Sequence, residues 1–147
     1  MSEAAHALGI GPDIEFRGHK YRLTPWTLEM TALFETWLEA RAFDAVERTF
    51  GTVPEDVYRR RLDSVNRLIA AGELQMGSES SVKMAASLAG LKYSTYLMLK
   101  AANPDVTERL VEDMFTEVQA QVLAKLEAAK APADPPAPPI PAATVPQ

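Results

Sequence analysis

Hydrophobic side chains recur at helical spacing over much of residues 13–130, and the pattern is lost on either side. Residues 1–12 are small and irregular, and residues 131–147 hold seven of the eleven prolines. Because proline lacks a backbone donor and fixes φ, that C-terminal segment is expected to be extended. The sequence therefore predicts a flexible leader (1–12), a folded domain (13–130) and a disordered tail (131–147).

Two short segments at the start of the folded part, residues 14–17 (IEFR) and 20–23 (KYRL), alternate between apolar and polar residues. They flank Gly18-His19. Glycine at the first position of a two-residue loop favours a type II′ turn, which requires a positive φ there. The sequence therefore predicts a β-hairpin that packs on helices or on another chain, since an isolated ribbon is marginally stable. The predicted cross-strand pairs are Phe16 with Tyr21, Ile14 with Leu23 and Glu15 with Arg22.

The apolar spacing after the hairpin predicts four helices, which makes the fold class mainly α. Thr24 and Pro25 suit the start of the first helix, and glycines suit the ends of the first two. Thr107 suits the N-cap of the fourth helix, where Val106 and Val111 are placed as a hydrophobic staple. The predicted helices run from Thr24-Pro25 to near Thr49 before Gly51, from Thr52 to Gly72, from about Ser80 to Ala102, and from Thr107 to near Lys130.

The third predicted helix is apolar over most of its circumference, with a narrow polar stripe at Lys83, Ser87, Gly90 and Ser94. Such a helix is buried on several sides, so we expect it to be the central helix or part of a subunit interface. Large exposed apolar patches mark interfaces, so we also expect a homo-oligomer with contacts near Leu91 and Met98.

Charge and composition exclude several classes of protein. The chain has 15 Lys and Arg residues against 20 Asp and Glu residues, a formal net charge of −5, and no cysteine. The acidic balance argues against nucleic-acid binding and against a polybasic membrane-surface protein. Without cysteine there are no disulfides, thiol nucleophiles or cysteine metal sites. No segment has the pattern of a signal peptide or of a membrane helix, so we expect a cytosolic protein.

Few residues suggest catalysis. Neither His6 nor His19 has a partner at metal-ligand or triad spacing. Glu35 and Glu39 favour a solvated face of the first predicted helix. A small carboxylate-dependent enzyme would need both to converge with another acid, such as Asp113.

Arg59–Arg61 is the one basic run. Its neighbours Glu55, Asp56 and Asp63 lie at helical spacing, which favours an exposed, ion-paired surface over an anion-binding patch. We therefore identify no catalytic, cofactor-binding or metal-ligating residue, and we expect that the protein is not an enzyme.

The large aromatic and methionine side chains favour either a core or a binding surface. Trp26, Phe34 and Trp37 are placed to pack between the first helix and the hairpin, but Trp and Tyr also anchor interfaces. Methionine repacks easily, which suits tolerant binding, although the same side chains also serve as core filler. The residues predicted to bind protein are Trp26, Trp37, Leu91, Tyr96, Met98 and Met114.

Residues 14–27 (IEFRGHKYRLTPWT) resemble the opening of small phage tail assembly chaperones. These proteins begin with a strand, a glycine turn, a second strand ending near Leu-Thr/Arg-Pro, and a helix. Residues 103–108 (NPDVTE) also resemble a loop and helix start found in small phage tail and virion proteins. The resemblance implies a non-enzymatic chaperone in the host cytoplasm. It would bind the long helical tape measure protein, or another phage tail protein, and keep it soluble while the tail tube polymerises.

Two further questions follow from the resemblance. A structural virion component, such as a head–tail or neck adaptor or a minor tail protein, is the alternative, and it would be present in finished particles. The family often also has a longer form made by ribosomal frameshifting.

The proline-rich tail is expected to be a solubilising tether, or else a docking peptide.

Overall fold

The computed structural model describes residues 12–130, and within this range the chain forms a two-stranded antiparallel sheet and six helices. The mainly helical class and the N-terminal hairpin are therefore confirmed, whereas the expected number of four helices is wrong. Residues 1–11, with His6, and the proline-rich residues 131–147 lie outside the described range. The elements are β1 (Asp13–Phe16), β2 (His19–Arg22), α1 (Leu28–Glu47), α2 (Glu55–Ala70), α3 (Glu79–Ala86), α4 (Leu88–Ala102), α5 (Glu108–Glu117) and α6 (Gln119–Lys130).

The hairpin turns one residue earlier than predicted. Its loop is Arg17-Gly18, and both residues have a positive φ, 49° and 77°, as a type I′ turn requires. This turn matches the twist of the strands, and it moves the pairing by two positions along β2. A shift of two leaves every side chain on its expected face, so Ile14 and Phe16 are still buried. The observed pairs are Asp13 with Arg22, Ile14 with Tyr21, Glu15 with Lys20, and Phe16 with His19.

Gly18→Val is expected to lower the free energy of unfolding by about 1–3 kcal/mol, the range for a strained backbone position. Among the described residues, no atom lies within 4 Å of a Cβ built at Gly18, so the cost comes from φ and not from a clash. Urea denaturation of both proteins measures the difference. Gly18→Asn is the control and should lose less, because asparagine tolerates the left-handed region. A valine variant as stable as the wild type would contradict this turn.

The hairpin is held against α5 and α6 by polar contacts at its outer edge. In the amide orientation that satisfies both partners, Gln121 donates to the carbonyl of Glu15 at 3.1 Å and accepts from its N–H at 3.2 Å. The Gln121 side chain therefore continues the strand pairing at an edge that would otherwise be open. At the turn, Arg17 forms ion pairs with Glu117 at 2.9 Å and with Asp113 at 3.7 Å.

The first helix begins later than predicted. Thr27, and not Thr24, is the N-cap of α1, because its side chain accepts a hydrogen bond from the N–H of Met30 at 3.2 Å. The segment from Thr24 to Thr27 instead connects the hairpin to α1, and the N–H of Thr24 donates to the carbonyl of Met98 at 2.9 Å. The predicted helix start at Thr24-Pro25 is therefore wrong, because the long-range hydrogen bond to Met98 holds Thr24 outside the helix.

Glycine ends α2 as predicted. Gly72 has a φ of 74°, and its N–H donates to the carbonyl of Ile69. The next residue, Glu73, donates its N–H to the carbonyl of Leu68, which completes a Schellman motif. Gly51 likewise has a positive φ, 83°, in the turn between α1 and α2.

The third predicted helix is broken at Ser87 into α3 and α4. Ser87 has an extended backbone (φ −70°, ψ 160°), and its Oγ caps α4 by accepting from the N–H of Gly90 at 3.1 Å. Gly90 lies in the corner between the helices, where a Cβ would be 1.9 Å from the carbonyl oxygen of Met84. The expected polar stripe is therefore wrong, because Gly90 and Ser94 are buried.

The fourth predicted helix is also broken, at Val118, into α5 and α6. Val118 leaves the helical region (φ −135°, ψ 36°), which lets α6 turn back towards β1. The predicted cap is confirmed, because the Thr107 side chain accepts from the N–H of Leu110 at 3.2 Å. Val106 and Val111 are both buried, as the hydrophobic staple requires.

One hydrophobic core joins the hairpin to α1, α4, α5 and α6. α4 lies at its centre and also contacts α3, so the expectation of a central apolar helix is confirmed for this half of the predicted element. The largest fully buried apolar side chains are Phe34, Ile14, Leu23, Met98, Leu99, Met114, Leu126, Val106, Val111 and Val122.

Candidate functional site

The six residues predicted to bind protein do not form one surface. Met98 and Met114 are fully buried in the core, so neither side chain is accessible to a partner. Their placement in the core corrects the prediction, and its physical reason is that α4 and α5 face the hairpin and α6 at these positions. The other four residues are partly exposed and lie in different places.

Trp26 belongs to the edge of the core. Its ring meets Phe34 edge-on at a centroid distance of 6.1 Å. Its Nε1 donates to the Oγ1 of Thr31 at 2.8 Å, so the one polar group of the side chain is satisfied within the protein. These contacts favour a structural role for Trp26 between α1 and the rest of the core.

Trp37 and Tyr96 lie at the ends of an aromatic cluster between α1 and α4. The rings of Trp37 and Tyr93 stack in parallel, with centroids 4.7 Å apart and an interplanar angle of 6°. Tyr96 follows Tyr93 by one turn of α4, at a centroid distance of 5.9 Å. On α1, Arg41 follows Trp37 by one turn and places its guanidinium 4.9 Å from the centre of that ring.

The aromatic stack lines an open groove between α1, α4 and α5 with a volume of about 680 Å³. Leu88, at the first position of α4, also lines it and has 51% of its surface exposed. The groove therefore combines aromatic walls with the half-exposed aliphatic side chain of Leu88. Its lining residues are Trp37, Arg41, Leu88, Ala89, Lys92, Tyr93, Tyr96, Glu108, Arg109, Val111 and Glu112.

Charges of both signs surround the groove. Lys92 forms an ion pair across α4 and α5 with Glu112 at 3.6 Å, and Arg109 forms one with Asp113 at 3.7 Å. Burial raises the pKa of Tyr93, and the charge of Glu108 and the proximity of Tyr96 raise it further. A tyrosine is already neutral at pH 7, and the raised pKa keeps the Tyr93 hydroxyl a hydrogen-bond donor further into the alkaline range. This arrangement is suited to holding an apolar side chain between charged neighbours.

Leu91 lies on another side of α4, away from the aromatic groove. It lines a smaller groove of about 410 Å³ with α3 and with Glu127 of α6. Val82, which is 58% exposed, borders the same groove. The structure therefore separates Leu91 from Trp37 and Tyr96.

Two of the three carboxylates considered for catalysis, Glu35 and Asp113, have separate structural roles. Glu35 accepts a hydrogen bond from the N–H of Met76 at 2.9 Å and so anchors the loop after α2. Asp113 pairs with Arg17 of the hairpin and with Arg109 of its own helix. Between residues 12 and 130 there is no group of three or more His, Asp or Glu side chains placed to hold a metal ion. In the same range, no helix combines the length and the hydropathy needed to cross a membrane.

The arginine run lies on the exposed side of α2. Arg59 pairs with Glu55 at 2.7 Å and Arg60 with Asp56 at 3.4 Å, each one helical turn away. The expected pairing of this run with Glu55 and Asp56 is therefore confirmed. Within the described residues, the third expected partner, Asp63, forms no ion pair with the run.

Sequence reasoning missed Tyr93, Leu88 and Arg41 as members of the groove. The contact between Arg41 and Trp37 could have been predicted from the sequence, because a cation one helical turn after a tryptophan is placed over its ring. The contribution of Tyr93 and Leu88 could not, since only the packing of α1 on α4 brings them together with Trp37.

Comparison with protein-family models, with curated proteins and with solved structures found no match for this chain.

Proposed function

We propose that this protein is a phage tail assembly chaperone, which binds amphipathic helical segments of the tape measure protein in the groove between α1, α4 and α5. The observation that carries the proposal is the stacked and partly exposed pair Trp37–Tyr93 in the wall of an open groove. The resemblance of the hairpin and of residues 103–108 to small phage tail proteins supplies the kind of client.

The composition of the groove supports the binding of apolar side chains. Partly exposed aromatic residues at the centre of a patch dominate the energy of many protein interfaces. Leu88 adds an exposed aliphatic surface next to them. An amphipathic helix presents apolar side chains at i, i+3, i+4 and i+7, which is the form that fits a groove between helices.

The charged residues around the groove are suited to orienting a bound helix more than to raising its affinity. Arg41, Lys92 and Arg109 provide positive charge, and Glu108 and Glu112 provide negative charge around the apolar walls. Rim charges change association rates and select against wrong partners, while buried apolar contacts hold the complex. A client helix with an apolar stripe between charged residues of both signs matches this surface.

The proposed recognition also suits a very long client. Apolar contact is non-directional and tolerates sequence variation, so many copies of one small protein can bind along a helical protein hundreds of residues long. A transient complex is expected, because a client must be released as the tail tube assembles around it.

The experiment is co-expression with the tape measure protein of the same phage. The client is expected to be soluble with the wild-type protein and insoluble without it. Leu88→Glu should abolish this rescue, because it puts a charge in the groove. It leaves the fold intact, since the side chain is half-exposed and an acid at a helix N-terminus is favourable. Charges at Met98 or Met114 would not test binding, because both side chains are core residues.

Val82→Glu is the matched control, with the same charge at a similarly exposed position outside the aromatic groove. It should keep the client soluble, and circular dichroism should show equal helix content in both variants. A client that is equally insoluble with and without the wild-type protein would overturn the proposal. So would a stoichiometric amount of this protein in purified virions, which would instead support the structural virion component.

A further inference from the structure

One cation in the aromatic groove has no carboxylate partner. The side chains of Lys92 and Arg109 are paired with Glu112 and Asp113 of α5. Arg41 of α1 lines the same groove and is exposed, and it forms no ion pair with any residue between 12 and 130. Among the three cations of the groove, Arg41 is therefore the one that the described residues leave available to a bound partner.

The contact with Trp37 holds Arg41 in place at the wall of the groove. Its guanidinium lies 4.9 Å from the centre of that ring. A cation–π contact is made with the charge of the guanidinium and does not require its five N–H donors. Because the ring restricts the arginine side chain, less conformational entropy is lost when a carboxylate binds to it. Arg41 is thus preorganised for a carboxylate, which a guanidinium can bind with two parallel hydrogen bonds.

The opposite wall of the groove disfavours a carboxylate. At the groove α4 lies between α1 and α5 and packs on both. Glu108, the first residue of α5, lies close enough to Tyr93 for its charge to raise the pKa of that hydroxyl. The residues of α5 that line the groove include two carboxylates, Glu108 and Glu112, and one cation, Arg109. An acidic side chain is therefore favoured on the α1 side of the groove and disfavoured on the α5 side.

These charges distinguish the two flanks of a bound amphipathic helix. Such a helix places its apolar stripe in the groove, so that one flank of polar residues lies against α1 and the other against α5. Turning the helix end to end exchanges the two flanks. A helix with acidic residues on one flank is therefore bound in the direction that brings this flank to Arg41.

We propose that Arg41 makes the groove selective for client helices in which Asp or Glu flanks the apolar stripe on one side. This inference rests on the function proposed above and adds the charge pattern of the segments that are bound. Apolar contacts hold the complex, whereas the pair with Arg41 selects among apolar helices and sets the direction of the bound one.

Three synthetic amphipathic helical peptides test the proposal. They share one sequence with leucine along the apolar stripe, and they differ at a single flanking position, which is Glu, Gln or Lys. Isothermal titration calorimetry at low salt measures the Kd of each peptide. The Glu peptide is expected to bind about fivefold more tightly than the Gln peptide, the upper end for an exposed ion pair. It should bind at least about tenfold more tightly than the Lys peptide, since like charges then meet.

Charge reversal at Arg41 identifies the residue that selects. Arg41→Glu should reverse the order, so that the Lys peptide binds most tightly, and Arg41→Gln should reduce the preference for the Glu peptide. Both variants should keep the helix content of the wild type in circular dichroism, because Arg41 is exposed.

Arg61→Glu is the matched control for the change in net charge. Arg61 is exposed on α2, lies outside the groove and forms no ion pair with the described residues, so this variant should keep the order of the wild type. Leu88→Glu should weaken all three peptides, as binding in the groove requires. Added salt should reduce the differences between the peptides, because the pair is exposed.

The outcomes separate this proposal from the proposed function. Equal Kd values for the three peptides would overturn the selection by Arg41 and leave the groove as an apolar binding site. A preference that Arg61→Glu removes and Arg41→Glu keeps would also overturn it, since the net charge of the protein would then be the cause. If the wild type binds none of the three peptides, the groove does not bind such helices and both proposals fail.

Discussion

Phe34→Ala is expected to lower the free energy of unfolding by about 3–5 kcal/mol, the range for removing a buried aromatic side chain. Phe34 is fully buried and lies between three other aromatic rings. Its centroid is 6.1 Å from Trp26, 5.2 Å from Trp37 and 6.1 Å from Tyr93. The substitution therefore removes apolar burial and also leaves a cavity that these large rings cannot easily fill.

The same substitution at Phe50 is the matched control. Phe50 is exposed, so Phe50→Ala should change the unfolding free energy of the monomer by less than about 1 kcal/mol. Denaturation should be measured at several protein concentrations, because any self-association would add to the apparent stability. Equal losses at the two positions would contradict the assignment of Phe34 to the core and of Phe50 to the exposed turn after α1.

Gly90→Ala is expected to destabilise the protein by about 2–3 kcal/mol, the upper part of the range for overpacking. A Cβ at this position would lie 1.9 Å from the carbonyl oxygen of Met84 and 2.9 Å from the Cα of Ala85. Both are backbone atoms, so relief requires α3 and α4 to move apart. That movement would also weaken the hydrogen bond from the N–H of Ser87 to the Met84 carbonyl.

Whether Gly90→Ala raises or lowers the free energy of unfolding decides between helix propensity and the close contact at the α3–α4 corner. Helix propensity alone predicts that alanine in place of glycine stabilises a helix by up to about 1 kcal/mol. Ala101→Gly, at an exposed position of the same helix, measures that intrinsic difference in this protein. A Gly90→Ala variant more stable than the wild type would show that α3 and α4 do not meet closely at Ser87.

The sequence was sufficient to predict those features in which a residue acts on its immediate neighbours. The cap at Thr107 and the glycine stop at Gly72 depend on hydrogen bonds within a few residues, and both are confirmed. The hairpin was predicted for the same reason. Its register differed because Gly18 satisfies two turn types, and the sequence alone did not show that Arg17 would accept a positive φ beside Glu117 and Asp113.

Hydrophobic periodicity did not reveal the two helix breaks. Ser87 and Val118 each lie inside a continuous helical pattern of apolar positions. Serine is a preferred N-cap residue, but a serine inside such a pattern is equally compatible with an uninterrupted helix. The break at Ser87 depends on the close approach of Gly90 to Met84, and the break at Val118 on the return of α6 to β1. Contacts between distant segments compensate the helical hydrogen bonds lost at each break.

The candidate site was partly predictable for a similar reason. Trp37 and Tyr96 were predicted to bind protein from residue type, since aromatic side chains anchor interfaces whatever their position. The methionines were placed on the same surface because they share helices with apolar residues, but type and spacing do not distinguish a buried face from an open one. Only the packing of α4 and α5 against the hairpin and α6 buries Met98 and Met114.

The sequence by itself determined the helical class, the N-terminal hairpin, the acidic net charge and the helix ends with strong local caps, because each depends on composition or on neighbouring residues. The tertiary structure decided the rest. It bends two predicted helices into four, brings Trp37 of α1 onto Tyr93 of α4, and leaves Phe50 exposed in the turn after α1. These features depend on which apolar faces find a partner, and that is a property of the whole chain's packing.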